Sequence, residues 1–144
     1  MSEMLGNQYF MARKYKDAVK ELEPIYLKNP INKSIRRKLI VGYTQTGKLI
    51  NALELFNSLV QEDVGYIIKA DPIDDDCPCP EIVKQLRVSS KEISSPDINI
   101  YNGILWLYCD PKISLEFFNN ALIDFPENEG LKKSIKVITN HLSN

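Results

Sequence analysis

Residues 5–25 read LGNQYFMARKYKDAVKELEPI, and residues 39–59 read LIVGYTQTGKLINALELFNSL. At a spacing of 34 six positions of the two stretches pair in character. Leu5, Tyr9, Ala18, Val19, Leu22 and Ile25 align with Leu39, Tyr43, Ala52, Leu53, Phe56 and Leu59. A period of this size marks a repeat architecture, in which one supersecondary unit cannot bury its apolar face alone and stacks on the next. The reading of these 55 residues decides the fold class: all-α, built from helical hairpins.

Within each stretch the apolar residues recur at helical spacing. Leu5, Tyr9 and Ala12 predict a helix over about 2–14, and Ala18, Leu22 and Ile25 predict a second over about 16–28. Asn29-Pro30 ends it, because Pro has no N–H and disfavours helix at the residue before it. The second pair is predicted over about 33–46 and 49–62, divided by Gly47, the residue type that most easily takes a left-handed cap. Turns this short make each pair antiparallel neighbours.

Beyond Val64 the period fails. Asp71-Pro72-Ile73-Asp74-Asp75-Asp76-Cys77-Pro78-Cys79-Pro80 excludes a regular helix or a central strand, and residues 65–95 are expected to form an acidic, Pro-rich insertion. The hairpin then returns. Ser95-Pro96-Asp97 and Asp110-Pro111 are helix starts, and Ser114, Leu115, Phe118, Ala121 and Pro126 repeat the earlier small, apolar, aromatic, small and Pro order. The turn of this third copy looks about two residues short. Leu131, Ile135, Ile138 and Leu142 give one apolar stripe over about 128–142, suited to a helix that covers the last core face.

This pattern resembles the tetratricopeptide repeat. Leu5-Gly6, Tyr9, Ala18, Leu22 and Pro30 fit a first copy, and Leu39, Tyr43, Gly47, Ala52 and Phe56 fit a second. The resemblance implies a right-handed α-solenoid of about three repeats, near 2–31, 32–64 and 96–127, in a single domain. It also implies a concave groove, lined by the first helix of each repeat, that binds a peptide or protein. By motif position the groove residues are Asn7, Phe10 and Met11, then Ser34, Arg37, Val41, Thr44 and Gln45, then Tyr101, Leu105 and Tyr108. Asn7 stands where carboxylate-clamping members have Asn, whereas Glu3 stands where they have Lys. The expected groove is therefore mixed apolar and basic, with Phe10, Tyr101, Tyr108 and Arg37 as anchors and an acidic partner. Arg37→Glu is expected to weaken that partner without unfolding the chain.

Composition narrows the function classes. The 144 residues are large enough for a real core, and their net charge is −1. The cations concentrate in residues 1–60 and the acids in residues 61–99. No apolar run reaches the length of a membrane span, and Met1-Ser2-Glu3-Met4 has neither the basic nor the apolar region of a signal peptide, so a cytoplasmic protein is expected. Three sparse cysteines do not make a disulfide framework. The basic residues lack aromatic and Arg-rich interleaving, which argues against nucleic acid. No Gly-rich phosphate loop, paired-carboxylate motif or zinc-protease motif occurs, and an enzyme is not expected.

Cys77 and Cys79, each followed by Pro, offer a metal- or heme-responsive alternative; the adjacent aspartates disfavour thiolates, and structural zinc uses wider pairs. Cys109 reads as a small half-buried hydrophobe, and His141 is the only histidine. No cofactor is expected. The reading is a non-catalytic adaptor, with self-assembly into a homo-oligomer as a further alternative.

Overall fold

The 34-residue echo is written into the backbone. The computed structural model describes residues 2–70 and 95–143, and all regular structure among them is helical. Arg13 has φ 61° and Gly47 has φ 76°, the two left-handed residues among those described, and they lie 34 positions apart. Each closes a three-residue turn in the same way. The Lys14 N–H donates to the Tyr9 carbonyl at 2.8 Å, and the Lys48 N–H donates to the Tyr43 carbonyl at 3.0 Å. The next helices then begin alike, with Ala18 N–H on the Lys14 carbonyl and Ala52 N–H on the Lys48 carbonyl. Gly47 takes this conformation without strain, whereas Arg13 takes it at a steric cost.

In chain order the helices are α1 (Ser2–Met11), α2 (Tyr15–Lys28), α3 (Lys33–Gln45), α4 (Leu49–Ile68), α5 (Ser95–Trp106), α6 (Pro111–Asp124) and α7 (Glu129–Ser143). The chain divides into two compact units, Met1–Leu59 and Val60–Asn144, with the boundary inside α4. The acidic run and Cys77 and Cys79 lie outside the described residues.

In the first unit α1 packs on α2 and α2 on α3. The small residues sit where helices close in: Ala18 and Ala52 are fully buried, with Leu22, Phe56 and Leu59 behind them. Each fully buried side chain of the larger kind contributes roughly 1.5–3 kcal/mol. Gly6 touches Leu22 so closely that an added Cβ would lie 2.6 Å from its Cδ2. Asn32 caps α3, its side chain accepting from the Ile35 N–H at 3.0 Å. α2 continues through Pro24, at an exposed position, as expected over 16–28. One feature departs from the expected pattern. α4 runs beyond residue 62, but Asp63 has φ −160° and ψ 80°, so the helix breaks where the sequence period fails.

In the second unit α5 packs on α6 and α6 on α7. Asp110 caps α6 through the Lys112 N–H, and Pro111 begins the helix, as the residue types require. Buried Ser114 donates to the Gly103 carbonyl at 2.6 Å, and a Cβ on Gly103 would lie 2.5 Å from the Phe118 ring. Gly6 meets a residue 16 positions on, whereas Gly103 meets one 15 positions on. The turn between α5 and α6 is nevertheless not short as expected: it has four residues, 107–110, against three in each of the first two turns, and only the close approach of the helices comes one position earlier. It closes with the Asp110 N–H on the Trp106 carbonyl at 2.7 Å and uses no left-handed residue. α7 buries Leu131 and Ile138 and starts from Asn128, whose side chain accepts from the Leu131 N–H.

Candidate functional site

The face of the first unit formed by α1 and α3 holds the accessible part of the expected groove. Asn7 and Met11 lie one turn apart on α1, and Ser34, Lys38 and Gln45 share one stripe of α3. Lys38 ties the helices together, its Nζ donating to the Asn7 Oδ1 at 2.8 Å. Met11 is 61% exposed, and Asn7, Ser34 and Gln45 are half-buried. Gln45 donates to the Thr44 hydroxyl at 3.2 Å, and that hydroxyl donates to the Val41 carbonyl at 2.6 Å.

The other seven expected groove residues are buried. Phe10 packs edge-on against Tyr15, with ring centroids 5.9 Å apart, and so serves the α1–α2 hairpin rather than a ligand. Arg37, Val41 and Thr44 are buried because α3 is enclosed on nearly every side, with nine of its thirteen residues inaccessible. Tyr101, Leu105 and Tyr108 are buried in the second unit. The anchors Phe10, Arg37, Tyr101 and Tyr108 therefore offer no open surface. Motif position placed all of them on first helices, but α5 ends at Trp106 and leaves Tyr108 in the turn, and motif position carried no information about how completely the helices are enclosed. Lys38 was missed as a site residue; its spacing of four from Ser34 was the available signal.

A second cluster joins α2, α3 and the turn after α3. The Tyr43 hydroxyl donates to the Glu23 carboxylate, and Lys48 Nζ lies 6.0 Å from the centre of the Tyr43 ring. Burial, and then the bond to Glu23, hold the Tyr43 hydroxyl well above the usual tyrosine range. A proton held more tightly in the folded state stabilises it fully below the unfolded pKa of about 10, and that stability is lost as pH rises beyond it. Tyr43→Phe should cost about 1 kcal/mol at pH 7. Thermal melts at pH 8 to 11 should show the gap between wild type and variant narrowing above pH 10. A constant gap would mean that Tyr43 titrates normally.

Among the described residues no group of three His, Cys, Asp or Glu side chains comes together, and no helix is long and apolar enough to cross a membrane. Cys109 is exposed rather than half-buried, and His141 is half-buried at the end of α7. No family model, curated protein or solved structure matches this chain.

Proposed function

We propose that this chain is a non-catalytic protein-binding module, an α-solenoid of about three tetratricopeptide-like hairpins that takes a peptide or protein on its α1/α3 face. The observation that supports this reading is the turn geometry recurring at 34 residues, Arg13 with Gly47 and Lys14–Tyr9 with Lys48–Tyr43. Repeated hairpins present a ladder of first helices, and such a ladder reads an extended or helical ligand by side-chain anchors. Here the anchor is Met11, an adaptable apolar side chain at an exposed position, flanked by the polar groups of Asn7, Ser34, Lys38 and Gln45.

A pull-down with the tagged chain, followed by titration of the purified partner, tests the reading. Met11→Asp changes an exposed residue, should preserve the fold, and should weaken the partner at least tenfold. Unchanged affinity would contradict the assignment of this face.

Self-assembly is the second reading, favoured by Met4 (69% exposed), Leu5 and Met11 on α1. Sedimentation equilibrium separates the two, because Met11→Asp would then lower the mass of the particle itself.

A further inference from the structure

The 34-residue repeat shows what covers one face of a first helix. On α3 the stripe Leu39, Gly42, Tyr43 and Thr46 is turned from solvent: the first three are buried and Thr46 is half-buried. α2 supplies the cover. A Cβ on Gly42 would lie 2.7 Å from Val19 Cγ2, and four residues beyond Val19 the Glu23 carboxylate accepts from the Tyr43 hydroxyl. The equivalent stripe of α1 and its last turn is Leu5, Gln8, Tyr9 and Ala12, on one helical face. Here Leu5 is 39% exposed against 0% for Leu39, Gln8 and Ala12 are exposed, and Tyr9 is half-buried. The Tyr9 hydroxyl makes no hydrogen bond among the described residues.

The α2–α3 contact defines the chemistry of a matching cover: a helix with an aliphatic residue and, four residues on, a carboxylate. α4 presents that pair to solvent. Ile50 is 75% exposed, and Glu54, one turn later, is exposed as well. Glu54 makes no hydrogen bond or ion pair among the described residues. Ile123 is equally exposed, but Glu127, four residues on, lies beyond the end of α6. In the register of α2 on α3, Glu54 would stand against Tyr9 and Ile50 against Gln8. Gln8 replaces the glycine of α3, so the helices would stay farther apart, and Ile50 reaches farther than Val19 does. One turn on, Leu5 would come opposite Ser58. A hollow of about 260 Å³ opens there, lined by Tyr26, Glu54, Leu55 and Ser58, with room for a leucine side chain.

We propose that the chain associates with a second copy of itself, the Leu5–Ala12 stripe of α1 packing on the Ile50–Glu54 stripe of α4. The Tyr9 hydroxyl donates to the Glu54 carboxylate across the contact. Both surfaces lie in the first unit. They differ from each other, so the contact is heterologous and each copy keeps one surface for the next. Asn7 and Met11 lie off the stripe, so this contact and partner binding on the α1/α3 face stand or fall separately.

Sedimentation velocity with the full chain tests the proposal. The mass of the wild type should rise with concentration beyond that of a dimer. Leu5→Asp spoils the α1 stripe and Ile50→Asp the α4 stripe, and each variant alone should stay monomeric. Mixed in equal amounts they should form a dimer and nothing larger, because each keeps the surface the other has lost. Tyr9→Phe should weaken the association at least about tenfold, as expected for a hydrogen bond to a charged group. Met11→Asp should leave it unchanged. Gln8→Glu, which brings a second carboxylate against Glu54, takes the place of Leu5→Asp should that variant lose its helical circular dichroism. A wild type that is monomeric at millimolar concentration, assembly of either variant alone, failure of the mixture to pair, unchanged association of Tyr9→Phe, or loss in Met11→Asp would each overturn the assignment.

Discussion

Arg37→Glu should unfold the first unit rather than empty a groove. Arg37 is 8% exposed and is engaged by neighbouring groups, within a helix enclosed on nearly every side. A carboxylate in place of the guanidinium would be a buried charge in surroundings shaped for a donor, and an uncompensated buried charge costs about 3–5 kcal/mol. That is a large part of the 5–15 kcal/mol that roughly bounds the stability of a small protein. Urea denaturation followed by far-ultraviolet circular dichroism should show a midpoint shifted far down, or no cooperative transition. Arg37→Met should cost much less, because an apolar side chain of similar length leaves fewer charges uncompensated. Lys33→Glu, at the half-buried start of the same helix, should change stability by less than about 1 kcal/mol. Similar midpoints for the Glu and Met variants would show that Arg37 contributes packing and not charge.

Gly103→Ala is the second large effect, and its sign is a contest. Alanine is the better helix former by about 1 kcal/mol. Against this, the new Cβ would lie 2.5 Å from two carbons of the Phe118 ring and 2.8 Å from a third. The ring is fully buried, and the Ser114–Gly103 bond at 2.6 Å fixes the approach of the two helices. Overpacking of this kind costs about 1–3 kcal/mol, and three simultaneous contacts place it at the upper end. A net loss of about 2 kcal/mol is expected. Phe118→Leu should recover part of it in the Gly103→Ala background while destabilising the wild type, a coupling that a double-mutant cycle measures. Gly65→Ala is the contrast: its nearest neighbours would be 3.6 and 3.9 Å away, so the helix preference should prevail and stability should hold or rise. Additive effects at Gly103 and Phe118 would refute the steric account.

The all-helical class and most element positions were legible in the sequence because the pattern is local. Ala18 and Ala52, Tyr9 and Tyr43, and the turn at Gly47 follow from spacing and residue type, and they recur in the structure at 34. The left-handed conformation of Arg13 was not legible, since Arg carries no preference for it; only its register with Gly47 points there. The helix predicted over 16–28 from its apolar spacing does run through Pro24, because the local pattern outweighs the one missing N–H. The candidate site was legible in position but not in accessibility. Met11 is exposed and Asn7, Ser34 and Gln45 are partly accessible, whereas Phe10, Arg37, Val41, Thr44, Tyr101, Leu105 and Tyr108 are buried. Motif position specifies a face of a helix. Whether that face is open depends on packing distant in sequence, and Arg36 and Arg37 show the difficulty, being charged residues that would ordinarily be assigned to solvent.

The central claim is that the α1/α3 face binds a partner. Chemical-shift mapping of the isotope-labelled chain, titrated with the partner recovered by pull-down, addresses it residue by residue. The account predicts shifts concentrated at Asn7, Met11, Ser34, Lys38 and Gln45 and abolished by Met11→Asp. Shifts confined to other surfaces, with this face silent at saturation, would contradict it.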